Sequence, residues 1–187
     1  MNAFNFTLSE GELAQHLINL GVLDFETACA YIADLPYGRN SNRTDFSLLL
    51  TEGKGSCSSK HGFLARIAED HNRQDIELIA GIFLMSGETH PVLLPFFEGK
   101  TYKHIPELHC YLRHQGKRYD FTCTTSAIEI IATKLIREQQ IEPHQVADWK
   151  PMIHKEYMTK WTARNPQIGL SFEEMWAERE KCIALLT

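Results

Sequence analysis

The sequence predicts an α+β fold, and three observations support that prediction. Helical periodicity dominates both ends of the 187-residue chain, whereas the middle holds dense apolar segments bounded by glycine, proline and polar turns. The two patterns are segregated along the chain, which is typical of helices packed on an antiparallel sheet. With 43% hydrophobic and 23% charged residues, the chain also has the composition of a folded protein that buries one core. We therefore expect a single domain over residues 1–187.

The first third of the chain predicts helices separated by loops. Apolar side chains recur at steps of three and four residues over 8–35, with a break at Gly21, which indicates two short amphipathic helices. Ser9 and Glu12 have the spacing of a capping box in front of the first helix. The segment 35–44 consists of turn formers and polar residues and predicts a loop.

The centre of the chain predicts a helix followed by a sheet. Ser56 is the expected N-cap of a helix over about 57–71. Four segments then have the composition of strands, and the last two flank a tight turn at Gln115 and Gly116. These predicted strands are 76–85, 92–97, 108–114 and 117–123.

Helical spacing returns over about 126–187, which we interpret as a C-terminal helical extension beyond a core of about 35–125. Leu135 and Ile136 continue the spacing of the preceding apolar residues and are expected in the first of these helices. The second is expected to bury the stripe Val146, Trp149, Ile153 and Tyr157. The last helix is expected after Ser171, which has Glu174 three residues on as in a capping box.

Composition and charge argue against several classes of protein. The chain holds no run of about 18 apolar residues and no signal-peptide pattern at its N-terminus, so a cytoplasmic location without a membrane partner is expected. It carries 19 basic and 24 acidic residues, a formal charge of -5, and the basic residues are scattered, so nucleic acid is not an expected partner. Five cysteines without a CxxC pair predict free thiols in a reducing compartment.

Cys57 is the first candidate for chemistry. It follows a glycine-rich turn and opens the predicted helix, where backbone N–H groups and the helix dipole favour a thiolate. A lone cysteine is more often a small buried apolar residue than a nucleophile, so a second observation is needed.

The predicted hairpin supplies that second observation. A two-residue turn at Gln115 and Gly116 fixes a register in which His109 and Asp120 share one face on the diagonal, within reach of a hydrogen bond. A carboxylate on one ring nitrogen would orient the imidazole and leave its other nitrogen free to take the proton of the Cys57 thiol.

These residues resemble the motifs of the transglutaminase-like superfamily of thiol enzymes. The matching segments are Gly55-Ser-Cys57, His109-Cys-Tyr111 and Asp120-Phe-Thr122, within about residues 35–125. Tyr111 stands where the family usually has Trp, and Phe121 where it usually has Pro. The resemblance implies a papain-like α+β fold in which the cysteine-bearing helix packs on an antiparallel sheet, with extra helices at both ends.

The resemblance also implies a function. Cys57 would be the nucleophile, His109 the general base and then acid, and Asp120 the orienting group, with no metal or organic cofactor. We expect hydrolysis of an amide or related acyl bond through an acyl-cysteine intermediate, with a peptide, a protein or a small amide as substrate. Acyl transfer to an amine and a non-catalytic peptide-binding role are the alternatives. The sequence leaves the oligomeric state open.

Several residues near these motifs have competing interpretations. Asn40 and Asn42 are weak candidates for a side-chain donor to the oxyanion, as are Tyr37 and Arg39, although all four fit an ordinary loop.

His61 lies one turn after Cys57 and is an alternative base. The cluster around His109 does not predict a metal site, because strand alternation turns Cys110 and His114 away from His109. Cys110 and Cys123 are expected to share the core-facing side of the hairpin.

Overall fold

A computed structural model describes residues 3–125 and 127–186, and it has the predicted α+β class. The helices lie before, between and after four strands that form one antiparallel sheet in the order β3-β2-β1-β4. The strands are β1 (Ile76–Ser86), β2 (His104–His114), β3 (Lys117–Tyr119) and β4 (Leu135–Gln140). The helices are α1 (Glu12–Asn19), α2 (Phe25–Asp34), α3 (Leu48–Thr51), α4 (Cys57–Asp70), α5 (Leu94–Phe97), α6 (Ile128–Thr133), α7 (Trp149–Arg164) and α8 (Phe172–Leu185).

Helices cover the sheet with two apolar clusters. In one cluster α4 packs on β1 and β2, and Phe63, Leu64 and Ile67 of α4 are fully buried. In the other, α6, α7 and α8 contribute buried side chains such as Met158 and Met175 against the sheet. Apolar burial of this kind is the main favourable term in folding. Both ends of the chain therefore help to hold the sheet.

The hairpin register is confirmed. His114 pairs with Lys117 and Leu112 pairs with Tyr119, as the two-residue turn predicts. Strand β3 is shorter than the predicted 117–123, because the chain leaves the ladder at Asp120. The predicted core position of Cys123 is wrong for the same reason: once pairing ends, alternation no longer applies, and Cys123 is exposed while Cys110 is buried.

Two secondary-structure predictions are wrong. The segment 92–97 is not a strand but a 3₁₀ turn (Pro91–Leu93) running into α5, since Pro91 and Pro95 sit in first-turn positions where their missing N–H costs nothing. Leu135 and Ile136 do not continue α6 but begin β4, which pairs with the free edge of β1. Tertiary pairing overrides local helical spacing there.

The helix starts differ in how well they follow the predicted caps. Ser56 caps α4 and Ser171 caps α8, each in a capping box. Ser9 does not cap α1, whose N-cap is Gly11. The backbone N–H of Ser9 instead donates to Nε2 of His71 over 2.9 Å, so contact with α4 displaces the local cap.

The face that α7 buries is also not the predicted one. Its buried residues recur every four positions as Lys150, His154, Met158 and Thr162. Of the predicted stripe, Val146 is buried but lies in the turn before α7, and Trp149, Ile153 and Tyr157 are only partly buried. In the ranges 3–125 and 127–186, no helix is long and apolar enough to cross a membrane.

Candidate active site

Cys57 is the first residue of α4 and is 7% exposed. The preceding turn is held against residues 36–38, because the Gly55 N–H donates to the Pro36 carbonyl over 3.0 Å. Gly55 has no space for a side chain, since a Cβ there would lie 2.2 Å from a methyl carbon of Leu49. The glycine-rich turn therefore fixes the position of Cys57 at the start of α4.

The structure brings His109 and Asp120 together as the hairpin register predicts. His109 Nε2 and Asp120 Oδ2 are 3.0 Å apart. The second carboxylate oxygen accepts hydrogen bonds from the N–H and hydroxyl of Thr122, at 2.9 and 2.6 Å. Burial raises the pKa of Asp120, but the His109 charge and these hydrogen bonds more than reverse that effect and hold it far below its usual range. The carboxylate is thus charged and fixed in orientation.

The Cys57 sulfur and the His109 ring lie close enough to interact, since the charge of His109 lowers the pKa of Cys57 and the charge of Cys57 raises the pKa of His109. Because Nε2 is occupied by Asp120, the ring nitrogen left for the sulfur is Nδ1. Burial lowers the pKa of His109, but the charges of Asp120 and Cys57 raise it well above the ordinary value. This is the electrostatic arrangement of a thiolate beside an imidazolium.

Lys150, on α7, is the residue at the sulfur that the sequence did not predict. Its Nζ lies 3.6 Å from Cys57 Sγ and donates to the Ser58 hydroxyl over 2.7 Å. Burial raises the pKa of Cys57, but the positive charges of Lys150 and His109 outweigh it and lower that pKa to about 6. Two positively charged side chains, one on α7 and one on β2, therefore favour the thiolate.

His61 is not placed to act as the base. Its Nδ1 donates to the Cys57 carbonyl over 2.8 Å, and its Nε2 accepts the Phe121 N–H over 2.7 Å. Burial lowers the pKa of His61 to about 4, so the ring is neutral near pH 7. With both ring nitrogens occupied, His61 joins α4 to the segment that carries Asp120.

Neither predicted asparagine is placed as an oxyanion donor, because the Asn40 amide is bound to other acceptors and Asn42 is not among the residues that line the cleft beside Cys57. The side-chain amide of Asn40 donates to the Lys54 carbonyl over 2.9 Å and to Glu52 over 3.1 Å. Asn42 is exposed and accepts from the N–H and hydroxyl of Thr44 in a local turn. Both side chains shape the loop, which is the ordinary use of asparagine.

Two other groups fit the oxyanion role better. The backbone N–H groups of Cys57 and Ser58 lie at the start of α4 and have no acceptor among the described residues. Tyr37 lines the same cleft, and burial, with the nearby Cys57 charge, raises the pKa of its phenol, so it stays a hydroxyl donor. Arg39 is instead held by Glu180 at 2.6 Å.

The C-terminal helices build the far wall of a cleft of about 250 Å³ in front of Cys57. Arg179 on α8 binds both carboxylate oxygens of Glu107, two residues before His109 on β2, at 2.6 and 2.7 Å. Burial raises the pKa of Glu107, but Arg179 outweighs it and lowers that pKa to about 2. His154 and Trp176 complete this wall.

This wall could not be predicted from the sequence, because the helices that build it lie outside the segment that resembles a known family. The available signal was the i, i+4 spacing of Lys150 and His154, two polar side chains on the buried stripe of α7. Buried charged residues are rare unless they are paired or functional.

No group of three His, Cys, Asp or Glu side chains is arranged to hold a metal ion within residues 3–125 and 127–186. Comparison of the chain with protein-family models, with curated proteins and with solved structures found no match.

Proposed function

We propose that the protein is a papain-like thiol enzyme, related in arrangement to the transglutaminase-like superfamily, that cleaves an amide or related acyl bond through an acyl-Cys57 intermediate. The observation that supports this most strongly is the convergence of Cys57, His109 and Asp120 at the head of one helix. These residues are separated by 52 and 11 positions in sequence. Such a triad is recognised by its geometry and roles.

The arrangement of charges gives each residue a step in the reaction. The Cys57 thiolate attacks the carbonyl carbon, and the carbonyl π electrons move to oxygen to give a tetrahedral oxyanion. As the intermediate collapses, the C–N bond breaks and the amine leaves with the proton of His109. Neutral His109 then takes a proton from water, whose oxygen attacks the thioester and releases the acid and the thiolate. Asp120 holds the ring in place throughout.

The oxyanion would form beside the N-terminus of α4. There, the N–H groups of Cys57 and Ser58, which have no acceptor in the part of the chain that the structure describes, are donors that need no rearrangement when charge develops. Lys150 adds a positive charge 3.6 Å from the sulfur. Acyl transfer to an amine uses the same first half-reaction, with the amine replacing water in the second. A purely peptide-binding role gives no reason for two buried cations at one thiol.

Acylation by p-nitrophenyl acetate, followed by intact mass, tests the proposal. We expect rapid addition of one acetyl group to the wild-type chain at pH 6–7, mapped to Cys57 and absent in Cys57→Ala. Cys123→Ala is the matched control, because Cys123 is the exposed thiol and its loss should leave the reaction unchanged. Acetylation that is lost in Cys123→Ala and kept in Cys57→Ala would contradict the proposal. Adding methylamine separates the two outcomes, since a transferase forms the N-methyl amide and a hydrolase forms acetate.

A further inference from the structure

The walls of the cleft carry an excess of positive charge. Five cationic side chains line it, against two carboxylates, although the whole chain has a formal charge of -5. The cations are Arg39, Arg43, Lys150, Lys155 and Arg179, and the carboxylates are Glu107 and Glu180.

Ion pairs account for both carboxylates. Glu107 is bound by Arg179 through both oxygens. Glu180 accepts from Arg39 and from Arg179, at 2.6 Å each. The two positive and two negative charges of these four residues cancel along one wall, so this wall adds no net charge to the cleft.

The remaining cations have no acidic partner within the described residues. Lys150 faces the Cys57 sulfur. Arg43 is exposed at the edge of the cleft, and Lys155, also exposed, lies 5.8 Å from the centre of the Trp176 ring. When Cys57 is a thiolate, its negative charge compensates Lys150, but the charges of Arg43 and Lys155 stay uncompensated. Acylation of the sulfur removes the thiolate charge, so Lys150 is then uncompensated as well.

We infer that the cleft takes a substrate with a negatively charged group close to the reacting carbonyl, held by Arg43 and Lys155 at the rim. This inference rests on the proposed function, because it concerns the substrate of that site. The charge on Arg43 and Lys155 attracts an anion into the cleft, while the Trp176 ring offers an apolar surface beside it. Lys150 would stabilise the charged acyl group after the thiolate is consumed.

Iodoacetate and iodoacetamide test the inference, since they have nearly the same size and differ in charge. The rate ratio of the two reagents at Cys57 is measured by peptide mapping and divided by the ratio for the neutral thiol N-acetylcysteinamide. Two unit charges acting over one Debye length, about 8 Å at about 0.15 M salt, in a water-like dielectric give a normalised preference for iodoacetate of about twofold. Raising the salt from about 0.15 M to about 1 M shortens the Debye length from about 8 Å to about 3 Å and should remove most of the preference.

The double variant Arg43→Gln/Lys155→Gln should remove most of the normalised preference, although Lys150 remains beside the sulfur. Lys117→Gln/Lys160→Gln is the matched control, because it removes the same charge from exposed residues that do not line the cleft. The inference is overturned if the wild-type ratio is one or less, or if the two double variants lower it equally. Rapid iodoacetamide labelling without an iodoacetate preference removes this inference alone. Slow iodoacetamide labelling of Cys57 removes the proposed function as well.

Discussion

Two regions of the molecule surround the Cys57 sulfur, and they differ in how far apart in sequence their interacting residues lie. On the hairpin flank, formed by His109 and Asp120, the two residues are 11 positions apart and meet because a two-residue turn fixes the strand register. On the helical flank, formed by Lys150 and Arg179, the side chains reach β2 and Cys57 from 72 to 93 positions away. The first flank follows from local geometry, whereas the second requires the finished tertiary structure.

The two flanks also differ in what they contribute. In the proposed reaction, the hairpin flank supplies His109, which transfers protons, and Asp120, which orients the His109 ring. The helical flank supplies fixed charge and a wall: Lys150 faces the sulfur, and Arg179 pairs with the buried Glu107. A buried ion pair is not necessarily stabilising relative to apolar residues, but its geometry specifies where each element docks.

The largest effect is expected from breaking the helical flank at Arg179. Arg179→Met leaves the buried Glu107 without its bidentate partner, which should lower the free energy of unfolding by about 3–5 kcal/mol. Glu107→Gln should cost less, because Arg179 keeps Glu180 as a partner at 2.6 Å. Urea unfolding of the two variants measures the difference. Equal losses in the free energy of unfolding would show that Glu180 does not compensate the charge of Arg179 when Glu107 is neutral.

The hairpin flank should control the reactivity of the thiol. His109→Gln removes both a positive charge and a hydrogen bond, so the midpoint of the pH–rate profile for Cys57 alkylation should rise by about 2–3 units. At pH 6 the alkylation rate should fall by about tenfold, because the more basic thiolate is intrinsically more nucleophilic and partly compensates for its lower population. The free energy of unfolding should fall as well, because the buried Asp120 loses its charged partner, so an unchanged far-UV circular dichroism spectrum at the assay temperature is the control that the variant is folded. An unchanged profile would show that the helical flank alone stabilises the Cys57 thiolate.

Lys150→Met should also raise the midpoint of the alkylation profile, but by less than His109→Gln. It removes a charge but leaves the His109 hydrogen bond, so the midpoint should rise by about one unit. The same alkylation profile measures it, with Lys160→Met on the exposed side of α7 as the control. A larger rise than for His109→Gln would show that the helical flank lowers the pKa of Cys57 more than the hairpin flank does.

Asn42→Ala should have the smallest effect. Its side chain is exposed and bonds only within its own turn, so acetylation by p-nitrophenyl acetate should keep its wild-type rate, and stability should change by about 0.5 kcal/mol or less. A large loss of rate would restore Asn42 as an oxyanion donor.

The contrast between the flanks explains how much the sequence could predict. The α+β class, the start of α4 at Ser56 and the contact of His109 with Asp120 follow from periodicity, capping and turn geometry, which are local. Strand β4 could not be predicted, because Leu135 pairs with β1 only after the sheet exists. Lys150 could not be predicted, because the spacing of apolar residues predicts an apolar stripe on α7, whereas the stripe that α7 buries is partly polar.

The pH dependence of Cys57 alkylation by iodoacetamide tests the central claim most directly. Thiolate reacts and thiol does not, so the rate should rise as pH increases through the pKa of Cys57. We predict a midpoint near pH 6, since Lys150 and His109 lower that pKa to about 6, and a fall in rate below it as the sulfur is protonated. A midpoint at or above about 8.5, the value of free cysteine, would contradict an activated nucleophile at the head of α4.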